Sequence, residues 1–251
     1  MIEIASGNAA IDRYLADGFE RVRGMSSRFA AAITGHVLRR QTALGIGGDV
    51  LEIGAFEGRF FIAMALGLAP GELALGIDLF DWPDQGALAR FEENCRTHGL
   101  AADRAAAWKV DSRTLTADAL REKLGGRPAR FAHVDGEHSH ECLSHDLELA
   151  HEVLHPDGII CVDDMLHPGY PTLITAVLDY LARHPEMRVT CIIDREDIVA
   201  AAKFMLCRNE ANALYEQDLM DTFAPFHFIL GAEMVTHFAL VLTPHPRIAD
   251  V

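Results

Sequence analysis

Short apolar segments alternate with helix-like segments over most of this chain of 251 residues, from Asp49 to Cys207. In the helix-like segments the apolar residues recur at helical spacing, as Leu143, Leu147 and Ala150 do, and each apolar segment has the length of a buried strand. Strands that alternate with helices are joined by right-handed crossovers into a mainly parallel sheet. The pattern therefore predicts an α/β fold with one such sheet. The strand-like segments are DVLEI, LALGI, AAWKV, RFAHV, GIICV, RVTCII and AAAKFMLC.

Helical patterns also precede this alternation, at about 8–22 and 27–44. After Arg208 the chain contains a helix-like segment at 209–223 and a strand-like segment at 236–243, whose position in the fold the pattern does not define. The predicted fold class is α/β, with a doubly wound, mainly parallel, seven-stranded Rossmann-like sheet and an N-terminal helical extension. We divide the chain into that extension, a central domain and a C-terminal extension packed on the same domain, with bounds 1–48, 49–207 and 208–251.

The charge of the chain excludes some classes of partner. Asp and Glu outnumber Lys and Arg by 37 to 22, which gives a formal net charge of -15. Nucleic acids and anionic membrane surfaces attract basic proteins, so we expect neither as a partner. The five cysteines include no C-x-x-C pair, and the first residues lack the basic and apolar regions of a signal peptide. We therefore expect a soluble cytoplasmic protein.

An acidic residue lies at or directly after the end of each of the first five predicted strands. Ligands of open parallel sheets bind beyond the carboxyl ends of the strands, where these side chains are expected to meet. Like charges in one place repel one another and cost stability, so the arrangement indicates a functional site for positively charged ligands. The acids are Glu52, Asp78, Asp111, Asp135 and the pair Asp163 and Asp164.

The first of these turns, LEIGAFEG, contains two glycines before a predicted helix. Gly54 and Gly58 permit a tight turn and the close approach of a ligand to the backbone. The dinucleotide fingerprint G-x-G-x-x-G is not met, because Phe56 stands where that pattern requires glycine. Asp78 follows Gly54 by 24 positions, at the separation expected for a carboxylate that binds ribose hydroxyls.

Glu52-x-Gly54-x-x-x-Gly58, followed by Asp78, resembles the class I S-adenosylmethionine-dependent methyltransferases. The resemblance covers about 49–207. It implies that the glycine loop packs against the methionine part of S-adenosylmethionine and that Asp78 holds its ribose. It also implies that Asp111 and Ser112 lie near the adenine, although Asp111 could equally cap the turn that follows it.

The later segment VDGEHSH, with the double aspartate of VDDM, is similar to a narrower group of these enzymes. This group contains metal-dependent sugar O-methyltransferases of macrolide pathways and cephalosporin hydroxylase-like proteins. The resemblance implies that Asp135, Asp163 and Asp164 bind Mg²⁺ or another hard divalent cation, and oxygen ligands suit such an ion. The ion would lower the pKa of an acceptor hydroxyl and orient it for methyl transfer.

The chain has 13 histidines, and His138 is the best candidate for a general base. His138 follows Asp135 within the same turn, and Asp135 is also predicted to be catalytic. His140 and His167 are the next candidates for the general base. A zinc site of histidines with Asp135 is disfavoured, because no cysteine pair supports it. Trp82 and Tyr170 either contact ligands or pack on loop backbone. We expect His133 to be a hydrogen-bonded core residue and three further histidines to lie at the surface: His145, His151 and His155.

The function that these features favour is a metal-assisted O-methylation of a hydroxylated small molecule, either a sugar or a natural product. A metal-independent methyltransferase remains an alternative, with Asp135 and Asp163 binding the acceptor. The second alternative is a cofactor-binding protein of the same fold that has no catalytic activity. By resemblance alone, a homodimer is also expected.

Overall fold

A computed structural model describes residues 4–245 of the chain. The predicted extensions reach beyond this range, and 1–3 and 246–251 lie outside the described residues. The helices are α1 (Ala9–Asp17), α2 (Arg28–Ala43), α3 (Arg59–Ala65), α4 (Ala87–Thr97), α5 (Ala117–Lys123), α6 (His140–Val153), α7 (Leu173–Arg183) and α8 (Asn212–Thr222). The strands are β1 (Asp49–Ile53), β2 (Ala74–Asp78), β3 (Ala105–Lys109), β4 (Ala129–Val134), β5 (Leu154–Met165), β6 (Met187–Ile193), β7 (Ala202–Arg208), β8 (Ala232–Glu233) and β9 (Phe238–Leu242).

The strands form one sheet in the order β3-β2-β1-β4-β5-β7-β6-β9-β8. Neighbours from β3 to β5 are parallel, whereas β7 runs antiparallel to both β5 and β6. The prediction of a mainly parallel α/β sheet is confirmed, but the predicted number of seven strands is wrong. The two additional strands come from the C-terminal segment, where β9 pairs in parallel with β6 and β8 pairs with β9.

Helices cover both faces of the sheet and define two apolar cores. The helices α1 to α4 and α8 pack on one face, around residues such as Phe61 and Phe131. The helices α5 to α7 pack on the other, around residues such as Leu147 and Val162. Strands buried on both faces are typical of parallel sheets, and every residue of β1 and β4 is buried.

The first predicted helix ends earlier than its apolar pattern suggests. Helix α1 stops at Asp17, because the chain turns at Gly18 into a single 3-10 turn at Phe19–Arg21. The segment that follows is tied to α3, since the side chain of Arg59 donates a hydrogen bond to the carbonyl oxygen of Val22 at 2.6 Å. This contact places the chain between α1 and α2 beside the carboxyl ends of the strands.

Arg130 on β4 anchors α2 to the opposite end of the sheet. Its guanidinium is fully buried, forms an ion pair with Glu72 at 2.7 Å and donates to the carbonyl oxygens of Leu38 and Gly67. The side chain of Gln41 donates to the carbonyl oxygen of Arg130 at 2.7 Å. Buried polar groups of this kind require such partners.

Within residues 4–245, none of the helices has the length and apolar character needed to cross a membrane.

Candidate functional site

The order of the strands reverses between β1 and β4, and the chain leaves these neighbours in opposite directions. Such a switch point opens a crevice beyond the carboxyl ends of the strands. A cavity of about 800 Å³ lies there. Nine of the ten predicted site residues line it, and Gly58 does not; the nine are Glu52, Gly54, Asp78, Asp111, Ser112, Asp135, His138, Asp163 and Asp164.

Gly54 makes the contact between the turns after β1 and β4 possible. Its φ angle is +90°, and a Cβ atom at this position would lie 1.8 Å from the carbonyl oxygen of Asp135. Any other residue would therefore separate the two turns. The backbone N–H of Asp135 donates to the carbonyl oxygen of Ile53 at 2.8 Å, which continues the strand pairing up to the site.

Four non-glycine residues in the described part of the chain have positive φ angles, and each lies at or shortly after the carboxyl end of a strand. Phe56 follows β1, Phe80 follows β2, and Asp164 and Leu166 lie where β5 ends. Left-handed backbone is costly for these residue types and tends to occur at functional sites. The strained turns therefore coincide with the cavity.

Asp78 braces the two turns on the β2 side of the cavity. Its Oδ2 atom accepts the N–H of Phe56 at 2.8 Å, and its Oδ1 atom accepts the N–H of Phe80 at 2.7 Å. Trp82 lies at the rim, with its ring centroid 5.1 Å from that of Phe56, and the guanidinium of Arg23 lies over both rings. Arg23 was not singled out in the sequence, because nothing near it marks a site.

Asp111 caps the 3-10 turn at Ser112–Thr114, as one of its two sequence-based interpretations states, and it also lines the cavity. Its carboxylate forms a two-point ion pair with Arg113, at 2.9 and 2.6 Å. The hydrogen bond from Arg113 lowers the pKa of Asp111. The carbonyl oxygen of Ser112 accepts a hydrogen bond from His145 at 3.0 Å.

A buried chain of charged and polar groups runs behind the cavity, from Glu52 to Asp163. Nδ1 of His133 lies 2.7 Å from Oε1 of Glu52, and Nε2 of His133 lies 3.1 Å from Nζ of Lys203. The Lys203 ammonium in turn forms an ion pair with Asp163. The prediction that His133 is a satisfied core histidine is confirmed, since it is fully buried and both ring nitrogens are engaged.

The pKa values along this chain are shifted. Burial raises the pKa of Glu52 well above its usual value, and burial together with the charge of Lys203 keeps the pKa of His133 well below its usual value. Burial would lower the pKa of Lys203, but the charge of Asp163 outweighs it and raises this pKa. The consistent assignment is a charged Lys203 that donates to a neutral His133, which donates to Glu52.

Asp164 and His138 form a second pair at the cavity wall, with Nε2 of His138 2.6 Å from Oδ2 of Asp164. The imidazole stacks on Tyr170, with ring centroids 4.2 Å apart, and Tyr170 stacks on His167. Burial would lower the pKa of His138, but the hydrogen bond that its imidazole donates to Asp164 raises this pKa overall. Burial, followed by the charge of Asp163, raises the pKa of Asp135 well above its usual value.

The predicted magnesium site differs from what the side chains form. Potential metal-binding atoms converge in two sets near Asp135, one that includes Asp163 and another that includes Asp164. The remaining members are His133 in the first set and His138 in the second. Asp163 and Asp164 therefore face different groups.

The oxygens of Asp163 are already engaged within the protein. Oδ1 accepts the N–H of Asp164 at 2.7 Å, and Oδ2 is paired with the ammonium of Lys203. A cation beside Lys203 would be repelled by its charge. The resemblance implied a magnesium ion shared by Asp135, Asp163 and Asp164. The donor atoms of these residues do not fit such an ion.

The remaining histidines lie away from the cavity, except His167, which lines it. His140 is near Asp179 at 3.0 Å on the exposed face of α6. The prediction that His145, His151 and His155 are surface residues is wrong in part, since each is half-buried and hydrogen-bonded. His151, for example, lies 2.7 Å from the hydroxyl of Tyr180, because α6 and α7 pack more closely than the sequence pattern indicates.

Residues 51–165 match the model of a family described as a methyltransferase domain. No curated protein matches the chain. An O-methyltransferase from Bacillus cereus, in complex with SAH, is a similar solved structure: it is 16% identical, with a TM-score of 0.56 over 83% of this chain and 93% of that chain.

Two further solved structures are similar at comparable identity. The O-methyltransferase TomG from Streptomyces achromogenes, in complex with SAM, is 18% identical, with a TM-score of 0.56 over 79% of this chain and 88% of its own. CalS11, a TDP-rhamnose 3'-O-methyltransferase of calicheamicin biosynthesis, is 18% identical, with a TM-score of 0.55 over 78% and 86%. The chain thus has the class I methyltransferase fold.

Residues 51–165, fewer than half of the chain, are thus similar to methyltransferase domains, and the described residues share the fold of solved O-methyltransferases. The resemblance on which the sequence analysis relied is therefore confirmed as a similarity of sequence and fold.

Proposed function

We propose that the protein transfers the methyl group of S-adenosylmethionine to a hydroxyl of a small molecule, such as a sugar or another natural product. The observation that carries this proposal is the shared cavity: the glycine turn and Asp78 lie on one side, and Asp135 and His138 on another. Its volume of about 800 Å³ is in the range of small-molecule sites. The solved structures of similar fold that are named for O-methyl transfer agree with this chemistry.

The residues at the β1 and β2 side fit S-adenosylmethionine. Gly54 lets a ligand approach the backbone, and Gly58, which directly precedes α3, has a φ angle of +91°. Oε2 of Glu52 is buried without a hydrogen-bond partner among residues 4–245, although Glu52 lines the cavity. An orphaned carboxylate oxygen is suited to the positively charged part of this cofactor. We assign Asp78 to the ribose, and Asp111 with Ser112 to the adenine side.

His138 is the group that we propose as the general base. With Nε2–H donated to Asp164, the neutral imidazole has Nδ1 available to accept the proton of the acceptor hydroxyl. Asp164 stabilises the imidazolium that forms. Asp135 lies in the same set of converging groups and orients the hydroxyl. The sulfonium of the cofactor is itself a good leaving group, so the protein mainly supplies orientation and a route for the proton.

A divalent cation is not part of this mechanism, because Lys203 and His138 already pair with the carboxylates that would bind it. An activity assay with a chelator distinguishes this mechanism from the metal-assisted reaction that the sequence predicts. Activity that disappears with a chelator and returns with Mg²⁺ would restore the metal-assisted mechanism. Binding of the cofactor without methyl transfer to any acceptor would favour the non-catalytic alternative.

The proposal is tested first by titration calorimetry with S-adenosylmethionine. We expect the wild-type protein to bind the cofactor. The affinity of Asp78→Asn should be lower by about tenfold or more, because a hydrogen bond to a charged group contributes about 1.5–3 kcal/mol. The exposed Asp103→Asn variant is the control. Wild-type protein that does not bind the cofactor would exclude the proposed function.

The acceptor is then sought by measuring S-adenosylhomocysteine release with a panel of nucleotide sugars and other hydroxylated compounds. Mass spectrometry of the product identifies the methylated oxygen. Nucleotide sugars are a reasoned first choice, because CalS11, a protein of similar fold, is a TDP-rhamnose 3'-O-methyltransferase.

We further propose that two copies of the chain associate through the C-terminal hairpin. This hairpin forms an edge of the sheet and carries exposed apolar side chains: Ile229, Leu230, Val235 and Phe238. Exposed apolar edges of sheets are prone to pair with another chain. Light scattering should show a dimer for the wild-type protein and a monomer for Leu230→Lys combined with Val235→Lys.

A further inference from the structure

Lys203 is a fully buried lysine near the start of the mainly apolar strand β7, between Ala202 and Phe204. Its ammonium has three N–H donors, and three acceptors surround it. These acceptors are Oδ2 of Asp163, Nε2 of His133 at 3.1 Å and Oγ of Ser26 at 3.3 Å. The same ammonium also lies over the ring of Phe60, with Nζ 4.6 Å from the centroid of the ring. The structure thus forms a complete binding site for one internal cation.

We propose that the ammonium of Lys203 is the built-in cation of the acid cluster, and that it excludes a divalent metal and holds Asp163 for a metal-independent methyl transfer. This inference rests on the proposed function for its catalytic part only. The statement about metal binding applies to the protein whatever molecule it methylates.

The geometry of Asp163 supports this role. A carboxylate that binds a metal ion needs an oxygen directed at the ion, whereas both oxygens of Asp163 are used inside the protein. The hydrogen bond that Oδ1 of Asp163 accepts from the N–H of Asp164 stabilises the left-handed backbone of Asp164, whose φ angle is +56°. That turn carries the carboxylate of Asp164 to His138 rather than to Asp163. Lys203 therefore acts as a positioning residue through Asp163.

The charge balance leads to the same conclusion. Divalent cations in carboxylate clusters offset charges that would otherwise repel one another. In this cluster Asp163 is offset by Lys203, and Asp164 is offset by His138 when that residue is protonated. A buried lysine with only a structural role is unusual, because an apolar residue of similar length would pack in a strand core at no desolvation cost.

The test is a titration with Mn²⁺ alone, which requires neither cofactor nor acceptor. Calorimetry and electron paramagnetic resonance should detect no Mn²⁺ binding to the wild-type protein. Lys203→Met keeps the length of the side chain and removes its charge, so it should bind Mn²⁺ through the released Asp163. Lys203→Arg keeps the charge and should not bind Mn²⁺. Circular dichroism checks that each variant is folded.

The outcomes separate clearly. Mn²⁺ binding by the wild-type protein that is lost in Asp163→Asn overturns the inference, and this measurement needs no Lys203 variant to fold. A folded Lys203→Met protein that binds no Mn²⁺ overturns the claim that Lys203 excludes the metal. Wild-type turnover should change by less than twofold when a chelator is added. A protein without any turnover would count against the proposed function but leaves the Mn²⁺ results decisive.

Discussion

Nε2 of His138 lies 2.6 Å from Oδ2 of Asp164, while the face of the imidazole stacks on the ring of Tyr170. The imidazole is therefore held in orientation by a carboxylate and by an aromatic ring. A pair of this kind raises the pKa of the histidine and sets which nitrogen carries the proton.

Asp164→Asn should move the acidic limb of the pH–rate profile to lower pH. Only neutral His138 accepts a proton, so wild-type activity rises as the pH increases through the pKa of His138. Asp164 raises that pKa, and its replacement removes the effect. The profile of kcat/KM measured across the neutral range checks this expectation. An unchanged acidic limb would mean that His138 is not the titrating base.

His138→Gln should lower kcat by about 10²–10⁴-fold, which is the usual contribution of a general base. Affinity for S-adenosylmethionine should stay within about twofold of the wild-type value, because His138 lies on the acceptor side. The matched control is His140→Gln, which changes an exposed histidine on α6. A loss of cofactor affinity equal to the loss of kcat would place His138 in the cofactor site instead.

Gly54→Ala should abolish cofactor binding or prevent folding. The new Cβ atom would meet the carbonyl oxygen of Asp135, and the φ angle of +90° is unfavourable for alanine. Gly71→Ala is the control, because Gly71 has a similar φ angle of +86° but open space around it. Thermal unfolding and cofactor titration of both variants separate the steric effect from backbone strain. Equal behaviour of the two proteins would contradict the steric argument.

Asp146→Asn should make stability less dependent on pH. Asp146 on α6 is buried, and burial raises its pKa from 3.8 to about 6. An acid whose pKa is raised by folding stabilises the folded state below its unfolded pKa, and this contribution is lost as the pH rises through about 6. The variant should therefore gain stability relative to wild type between about pH 4 and 7, by up to about 3 kcal/mol.

Urea unfolding at several pH values measures this difference for Asp146→Asn. The control is Asp118→Asn, a change of an exposed side chain on α5. A stability difference between variant and wild type that is the same at each pH would show that Asp146 is charged in the folded protein.

Arg130→Met should destabilise the protein by about 3–5 kcal/mol, because it leaves the buried carboxylate of Glu72 without its ion pair. Arg96→Met removes the exposed pair with Glu93 and should cost less than about 1 kcal/mol. The free energy of unfolding in urea gives both values. A similar cost for the two variants would mean that Arg130 does not anchor α2.

The sequence predicted the order of strands and helices because each element carries its own apolar period. It also predicted that the acids after these strands lie at one edge of the sheet, since a parallel sheet places the ends of β1, β4 and β5 together. The positions of β8 and β9 could not be predicted, because pairing with β6 depends on the route of the chain after α8 and on no local pattern.

The pairing of Asp163 with Lys203 was also missed, since 40 positions separate these residues. One sequence feature could have indicated it: a single lysine within the apolar run AAAKFMLC needs a buried counter-charge if the run is a central strand. Ser26 carries no comparable indication, because serines before a helix are ordinarily caps.

The segment between α1 and α2 supplies Arg23 and Ser26 to the cavity, although it precedes the first strand of the sheet. The wall that it forms is built by chain outside the parallel strands that carry the glycine turn. A change at Arg23 would therefore alter one wall of the cavity and leave the glycine turn after β1 in place.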